Sequence, residues 1–134
     1  MESIESIIKD WRDKIIDFNL FKKKLSMHLD IKEDVLKLID KNYISLNDVS
    51  DRLKNDRDVV LKAIFKNGDN ILFANKKFLA DKEVVLVAMK KTGEHCNHIF
   101  EKISTALKND DELVHMALKY SPECLINLTE KYSD

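Results

Sequence analysis

Glu94, His95, Cys96, His98 and Glu101 gather carboxylate, imidazole and thiol groups in one short stretch. Zinc accepts each of these ligand types. On a helix, residues three or four apart share a face. His95 with His98, or Glu94 with His98 and Glu101, would then converge on one ion, and the protein would act as a metal-dependent regulator. Spacing gives these residues another duty. Cys96 lies three residues after Gly93, as Ile71 follows Gly68 and Cys124 follows Ser121. Both cysteines therefore take an apolar position, where a free thiol packs as a small hydrophobe. No second ligand pair accompanies the cluster, so no metal and no cofactor is assigned.

The acidic groups Asp56/Asp58, Asp81/Glu83 and Asp110-Asp111-Glu112 raise calcium as a ligand, but none has the alternating acids followed by glycine of a calcium loop. Each stands at an expected helix start, and Lys66, Lys90, Lys91 and Lys119 stand at the expected ends. That placement opposes the helix dipole at both poles without any ligand. His115 takes the place held by Leu61 and Leu86 and is expected as a partly exposed substitute for leucine. Lys22-Lys23-Lys24, beside Phe18 and Phe21, reads as a solvated helix face. Trp11 falls within an isoleucine stripe and is expected to pack. There is no glycine-rich phosphate loop and no Ser/His/acid nucleophile motif, so no catalytic residue is assigned and the chain is read as non-enzymatic.

The elements that hold these groups repeat. Gly68 and Gly93 are 93 − 68 = 25 residues apart and Pro122 lies 122 − 93 = 29 further on. Asp56, Asp81 and Asp110 keep the same steps, as do Val59, Val84 and Leu113, and Ala63, Ala88 and Ala117. A period in the twenties is the mark of a solenoid-like array. Each unit opens on a leucine and an acidic N-cap. It then buries a doublet and a small residue: Val59, Val60, Ala63 and Ile64; Val84, Val85, Ala88 and Met89; Leu113, Val114, Ala117 and Leu118. Gly68 and Gly93 are expected to stop their helices in the left-handed conformation, and Ser121-Pro122 to reach the same break with serine as cap and proline at the first helical position. Second helices are expected over Ile71 to Phe78, Cys96 to Leu107 and Glu123 to Lys131. A fainter copy, with Leu29, Asp34 and Val35, precedes these.

Before the repeats, Ile4, Ile7, Ile8, Trp11 and Ile15 predict a helix over residues 3–17. Leu20, Phe21, Leu25 and Leu29 mark a second, Val35, Leu36 and Ile39 a third, and Leu46, Val49 and Leu53 a short fourth capped by Ser45. The fold class is all-α: tandem antiparallel helix pairs in a short solenoid-like array with an N-terminal helical cap. Residues 1–134 form one domain, with the cap over 1–48, three repeats over 49–128 and a tail over 129–134.

The stretch Leu53-Lys54-Asn55-Asp56-Arg57-Asp58-Val59-Val60-Leu61-Lys62-Ala63-Ile64-Phe65-Lys66-Asn67-Gly68 resembles the DUF4116 repeat, a domain of unknown function, and Asp81 to Gly93 resembles its next copy. The resemblance covers residues 49–128, with a divergent third copy. It implies a helical repeat module and brings no activity.

Composition narrows the partners. The chain has 23 basic and 24 acidic residues, and only Arg12, Arg52 and Arg57 are arginine. A protein that binds phosphates would show a basic excess, so nucleic acid is disfavoured. The acidic start is unlike a secretory leader. The longest apolar run, Val84 to Met89, is far short of the roughly 20 residues of a membrane span. Two cysteines are too few for a disulfide scaffold. The expected setting is cytoplasmic, with no membrane. The expected function is a protein–protein interaction module, an adaptor or an inhibitor covering a larger partner's surface. Phe65, Phe73 and Phe100 are its candidate contacts, expected to lie exposed in one patch. The alternative is a nucleic-acid-associated protein using a local lysine-lined groove. No oligomeric state is assigned.

Overall fold

The computed structural model describes residues 1–122. The expected helix over Glu123 to Lys131 and Cys124 lie outside the described residues, as does any helix beginning at Pro122. The first amides of a helix have no partner within it, so a side-chain oxygen ahead of them fixes where the helix begins. Ser3 serves α1 (Ile4–Arg12) and Asp17 serves α2 (Phe18–Leu25). Asp56, Asp81 and Asp110 serve α4 (Arg57–Lys66), α5 (Lys82–Thr92) and α8 (Asp111–Tyr120). Ser104 serves α7 (Thr105–Lys108). Two helices start without such a cap: α3 (Lys32–Asp40), after Ile31, and α6 (Asn97–Lys102), after Cys96. The remaining helical segments are 3-10 turns, and among the described residues there is no strand.

The doublets bury as expected. Val59, Val60, Ala63 and Ile64 of α4 meet Val84, Val85, Ala88 and Met89 of α5 in one core that also holds Leu113 and Ala117 of α8. In α8 the pattern is only half covered, with Val114 half-buried and Leu118 exposed. A second core joins Ile4, Ile7 and Ile8 of α1 to Phe21 and Leu25 of α2 and Leu38 of α3. Trp11 closes it by stacking on Phe21 at 4.9 Å between ring centres, and Tyr43 meets Phe21 edge-on at 5.5 Å. His28 is buried, with Nδ1 2.7 Å from a carboxylate oxygen of Asp34.

Several helices are shorter than their apolar spacing predicts. The first stops at Arg12, not at residue 17, because the chain must reverse before Asp17 caps α2. Lys14 takes a left-handed φ of 60° there, and Ile15 falls off the stripe into solvent at 68 % exposure. The second stops at Leu25 and tightens into the 3-10 turn Ser26–His28, and Leu20 within the helix is exposed. The short fourth is two 3-10 turns, Leu46–Asp48 and Leu53–Asn55, although Leu46, Val49 and Leu53 are all buried. The Ser45 amide donates to the Asp48 carboxylate at 2.9 Å, so the turn is closed from the side of the acid.

The second helices break for a shared reason. Asn75 donates its amide to the Lys54 carbonyl at 3.0 Å, and Ser104 donates to Leu79 at 3.0 Å. Ser50 donates to Leu29 at the same distance. Each bond ties one unit to the preceding one and requires an extended residue just ahead of the donor. Ala74 and Ile103 supply it, with ψ of 166° and 164°. The span Ile71 to Phe78 is therefore divided between the 3-10 turns Gly68–Phe73 and Lys76–Ala80, and Cys96 to Leu107 between α6 and α7.

The two glycines do different work. Gly93 ends α5 with φ of 58°, a conformation that side chains disfavour. Gly68 has no positive φ, so the left-handed stop expected there is not made. Asn67 ends α4 in an extended conformation, and its side chain accepts from the Asp69 amide at 3.0 Å. Glycine stands at 68 because a Cβ would lie 2.4 Å from the Ala88 carbonyl oxygen and 2.7 Å from Thr92 Cγ2. There α5 crosses the chain backbone to backbone.

Candidate interaction surface

Most charges at the helix starts are committed to one another. Lys32 bridges Asp56 at 3.1 Å and Asp58 at 2.9 Å. Arg57 bridges Asp81 and, at 3.1 Å, Glu83. Lys82 bridges Asp110 and Glu112, both at 3.0 Å. In each rung the base beside one helix start reaches the N-cap aspartate of the next and the acid two residues on. The rungs end where the register changes: Ile31 stands at the cap position of α3, and Asp111 at the base position of α8.

The Lys82–Asp110 pair shifts both of its partners. The Asp110 carboxylate is held below its usual range, chiefly by Lys82, while Lys82 is raised by Asp110 and then Glu112. A carboxylate depressed in the folded state stabilises above its unfolded pKa and loses that contribution as pH falls through the depressed value. Melting temperature is therefore expected to fall on acidification below about pH 4. Lys82→Gln should flatten that fall relative to wild type, as measured by circular dichroism melts across the acid range. An unchanged pH profile would remove the rung from the account of acid stability.

The metal candidates do not converge. His98 turns to Asp69, with Nε2 2.5 Å from a carboxylate oxygen, and so ties α6 to the Gly68–Phe73 turn. Glu94 and His95 face solvent beside each other at 3.6 Å, and Glu101 is exposed. Among the described residues no three His, Cys, Asp or Glu side chains are grouped to hold an ion. Cys96 is fully buried. In native buffer its peptide is expected to alkylate with iodoacetamide at least about tenfold more slowly than in urea, because the thiol reacts only when exposed. Equal rates by mass spectrometry would place it at the surface. His115 is exposed, where Leu61 and Leu86 are half-buried.

Of the three phenylalanines, Phe65 is 57 % exposed and Phe73 43 %, but Phe100 is fully buried. Phe100 is therefore not a surface contact. Cys96, Ile99, Phe100 and Ile103 fall at helical spacing on the core side, and that stripe was the signal for its burial. Phe65 and Phe73 line different depressions. Phe65 lines a shallow depression with Leu36 and Lys62, and Lys91 lies 5.0 Å above its ring.

Phe73 belongs to a longer furrow that sequence reasoning missed. One part, of about 490 Å³, lies between the 42–48 segment and the Gly68–Phe73 turn, with Asn42, Ser45, Asn67 and Phe73 in its wall. A second part, of about 270 Å³, lies between α2 and the same segment and is lined by Phe18, Phe21, Leu25 and Leu29. Tyr43, Ile44 and Asp48 line both parts. The buried Asn70 braces the wall: it accepts from the Leu46 amide at 3.1 Å and donates to the Ala63 carbonyl at 2.9 Å. Phe18 stands open at the apolar end, 56 % exposed. A different groove, of about 650 Å³, runs between α1 and α3 and carries Lys9, Arg12, Lys37 and Lys41.

The geometry defines an all-α protein in which the same caps, ion pairs and backbone bonds recur at successive helix starts. The DUF4116 family model, a domain of unknown function, matches residues 31–79 and 56–95. The two matches begin 56 − 31 = 25 residues apart, the interval that separates the glycines. They take in residues 31–48, read above as cap and faint copy, and end before the third copy. No curated protein and no solved structure matches the chain. No helix among the described residues is long and apolar enough to cross a membrane.

Proposed function

We propose that this chain is a non-enzymatic interaction module that docks a cytoplasmic protein in the furrow along the 42–48 segment, as an adaptor or as an inhibitor covering the partner's surface. One observation carries this reading: exposed aromatic side chains stand in two depressions that share Tyr43, Ile44 and Asp48 in their walls, Phe18 in one and Phe73 in the other. Aromatic anchors in a concave surface are where protein interfaces concentrate their binding energy, and stacked helices offer such surfaces. The braced 42–48 wall supports the reading, since a preformed site loses little on ordering. Two cysteines, one of them buried, suit a reducing compartment.

The test is photo-crosslinking in the native cell from benzoylphenylalanine placed singly at Phe18, Phe73 and, as a control, Leu118. Capture of one common protein from Phe18 and Phe73, and not from Leu118, is expected. Capture from Leu118 alone, or of unrelated proteins from the two furrow positions, would overturn it.

A further inference from the structure

We infer that the groove between α1 and α3 is a second docking site, separate from the furrow, and that it takes an acidic segment of another protein through Arg12 and Lys41. The groove is walled by Glu5, Lys9, Arg12, Asp13, Lys37 and Lys41. Its two acids are already matched: Lys37 pairs with Glu5, and Lys9 pairs with Asp13 at 3.1 Å. Arg12 and Lys41 are exposed and form no ion pair among the described residues. Two cations without a direct carboxylate contact therefore line one cleft, Lys41 acting on Glu5 only through space, in a protein whose overall charge is −1. The floor is Ile4 and Ile8, which admit the apolar stem of a bound side chain.

Charge complementarity selects the occupant. An arginine fork receives a carboxylate through two parallel hydrogen bonds, and a lysine adds a point charge beside it. Two carboxylates on one segment would satisfy both. A nucleic acid fits less well, because a phosphate chain gains affinity from many cations in a row. Here Glu5 and Asp13 interrupt the row, and the lining has no aromatic ring on which a base could stack.

The experiment measures fluorescence anisotropy of the full chain with three probes: labelled hexaglutamate, labelled hexaglutamine and a labelled single-stranded oligothymidylate. Hexaglutamate should bind at low salt and weaken as salt rises, with hexaglutamine weaker by about tenfold or more. Arg12→Glu with Lys41→Glu should abolish binding. Arg12→Gln with Lys41→Gln should weaken it, which covers the case in which charge reversal disturbs α1. Lys76→Glu with Lys77→Glu, distant in sequence and absent from the groove lining, should leave it intact. Equal binding of hexaglutamine, equal loss in the Lys76/Lys77 variant, or tighter binding of the oligothymidylate would each overturn the inference. Crosslinking from Phe18 and Phe73 is a separate readout, so failure here leaves the furrow reading standing.

Discussion

Gly68→Ala is expected to destabilise the protein by about 3 kcal/mol, the upper end of what overpacking costs. The new methyl would meet the Ala88 carbonyl oxygen at 2.4 Å. That oxygen belongs to the backbone of α5 and cannot rotate aside. It also accepts from the Thr92 hydroxyl at 3.1 Å, so it is held from the other side. Relief requires α5 to lift from the Gly68–Phe73 turn, and Val84, Val85, Ala88 and Met89 would lose their fit with it. Gly93→Ala is the control. Nothing lies within 4 Å of its added methyl, and only the φ of 58° opposes it, a backbone strain of about 1–2 kcal/mol. Urea unfolding followed by circular dichroism should place Gly68→Ala well below Gly93→Ala at equal slope. The reverse order would mean that no close approach exists at residue 68.

The contrast between these glycines marks the limit of what the sequence shows. Both sit at one register position, and register alone assigns both the same left-handed stop. Which of them needs glycine for its φ and which for its missing side chain depends on how near the neighbouring helix comes. That is a property of packing. The N-caps and doublets were legible because each follows from a local rule: a short acceptor ahead of open amides, and apolar residues at helical spacing. The interruptions at Ala74 and Ile103 were not, because the bonds that impose them run to Lys54 and Leu79 in the preceding unit. The ion-pair rungs lie between. Lys32, Arg57 and Lys82 are spaced by 57 − 32 = 25 and 82 − 57 = 25 residues, a signal visible in the chain once its meaning is known.

The candidate surfaces were less legible than the core. Phe65 is exposed because Val59, Val60, Ala63 and Ile64 claim the inner face of α4, a reading available from spacing. The furrow is built from three separated stretches, residues 18–29, 39–48 and 66–73. Only the tertiary fold brings them together. The groove between α1 and α3 is similar: its cations without a direct carboxylate contact emerge only after Glu5 and Asp13 have been assigned their partners.

Asn70→Ala is expected to cost about 2–3 kcal/mol, because it strands the buried Leu46 amide and takes one of two donors from the Ala63 carbonyl. The amide of Leu46 loses its acceptor at 3.1 Å, and the Ala63 carbonyl loses the side-chain donor at 2.9 Å. The Ala63 carbonyl keeps the Asn67 amide at 2.9 Å, so the larger part of the penalty falls on Leu46, in the 42–48 wall. Asn70→Asp separates the two roles. It keeps an acceptor for Leu46 but turns a carboxylate toward the Ala63 carbonyl in a buried site, so the charged form is disfavoured and its pKa rises. A carboxyl whose folded pKa is raised binds protons more readily in the folded than in the unfolded state, so its penalty shrinks as pH falls. The protonated acid also regains a donor for Ala63. Asn70→Asp should therefore be less stable than Asn70→Ala at neutral pH and approach or pass it in acid, measured as urea midpoints at each pH. Parallel pH profiles for the two variants would mean that residue 70 is not buried against both backbone groups. Because the same residue fixes the furrow wall, Asn70→Ala should also reduce crosslinking from Phe73 more than Gly93→Ala does, which would tie the polar brace to docking and not to stability alone.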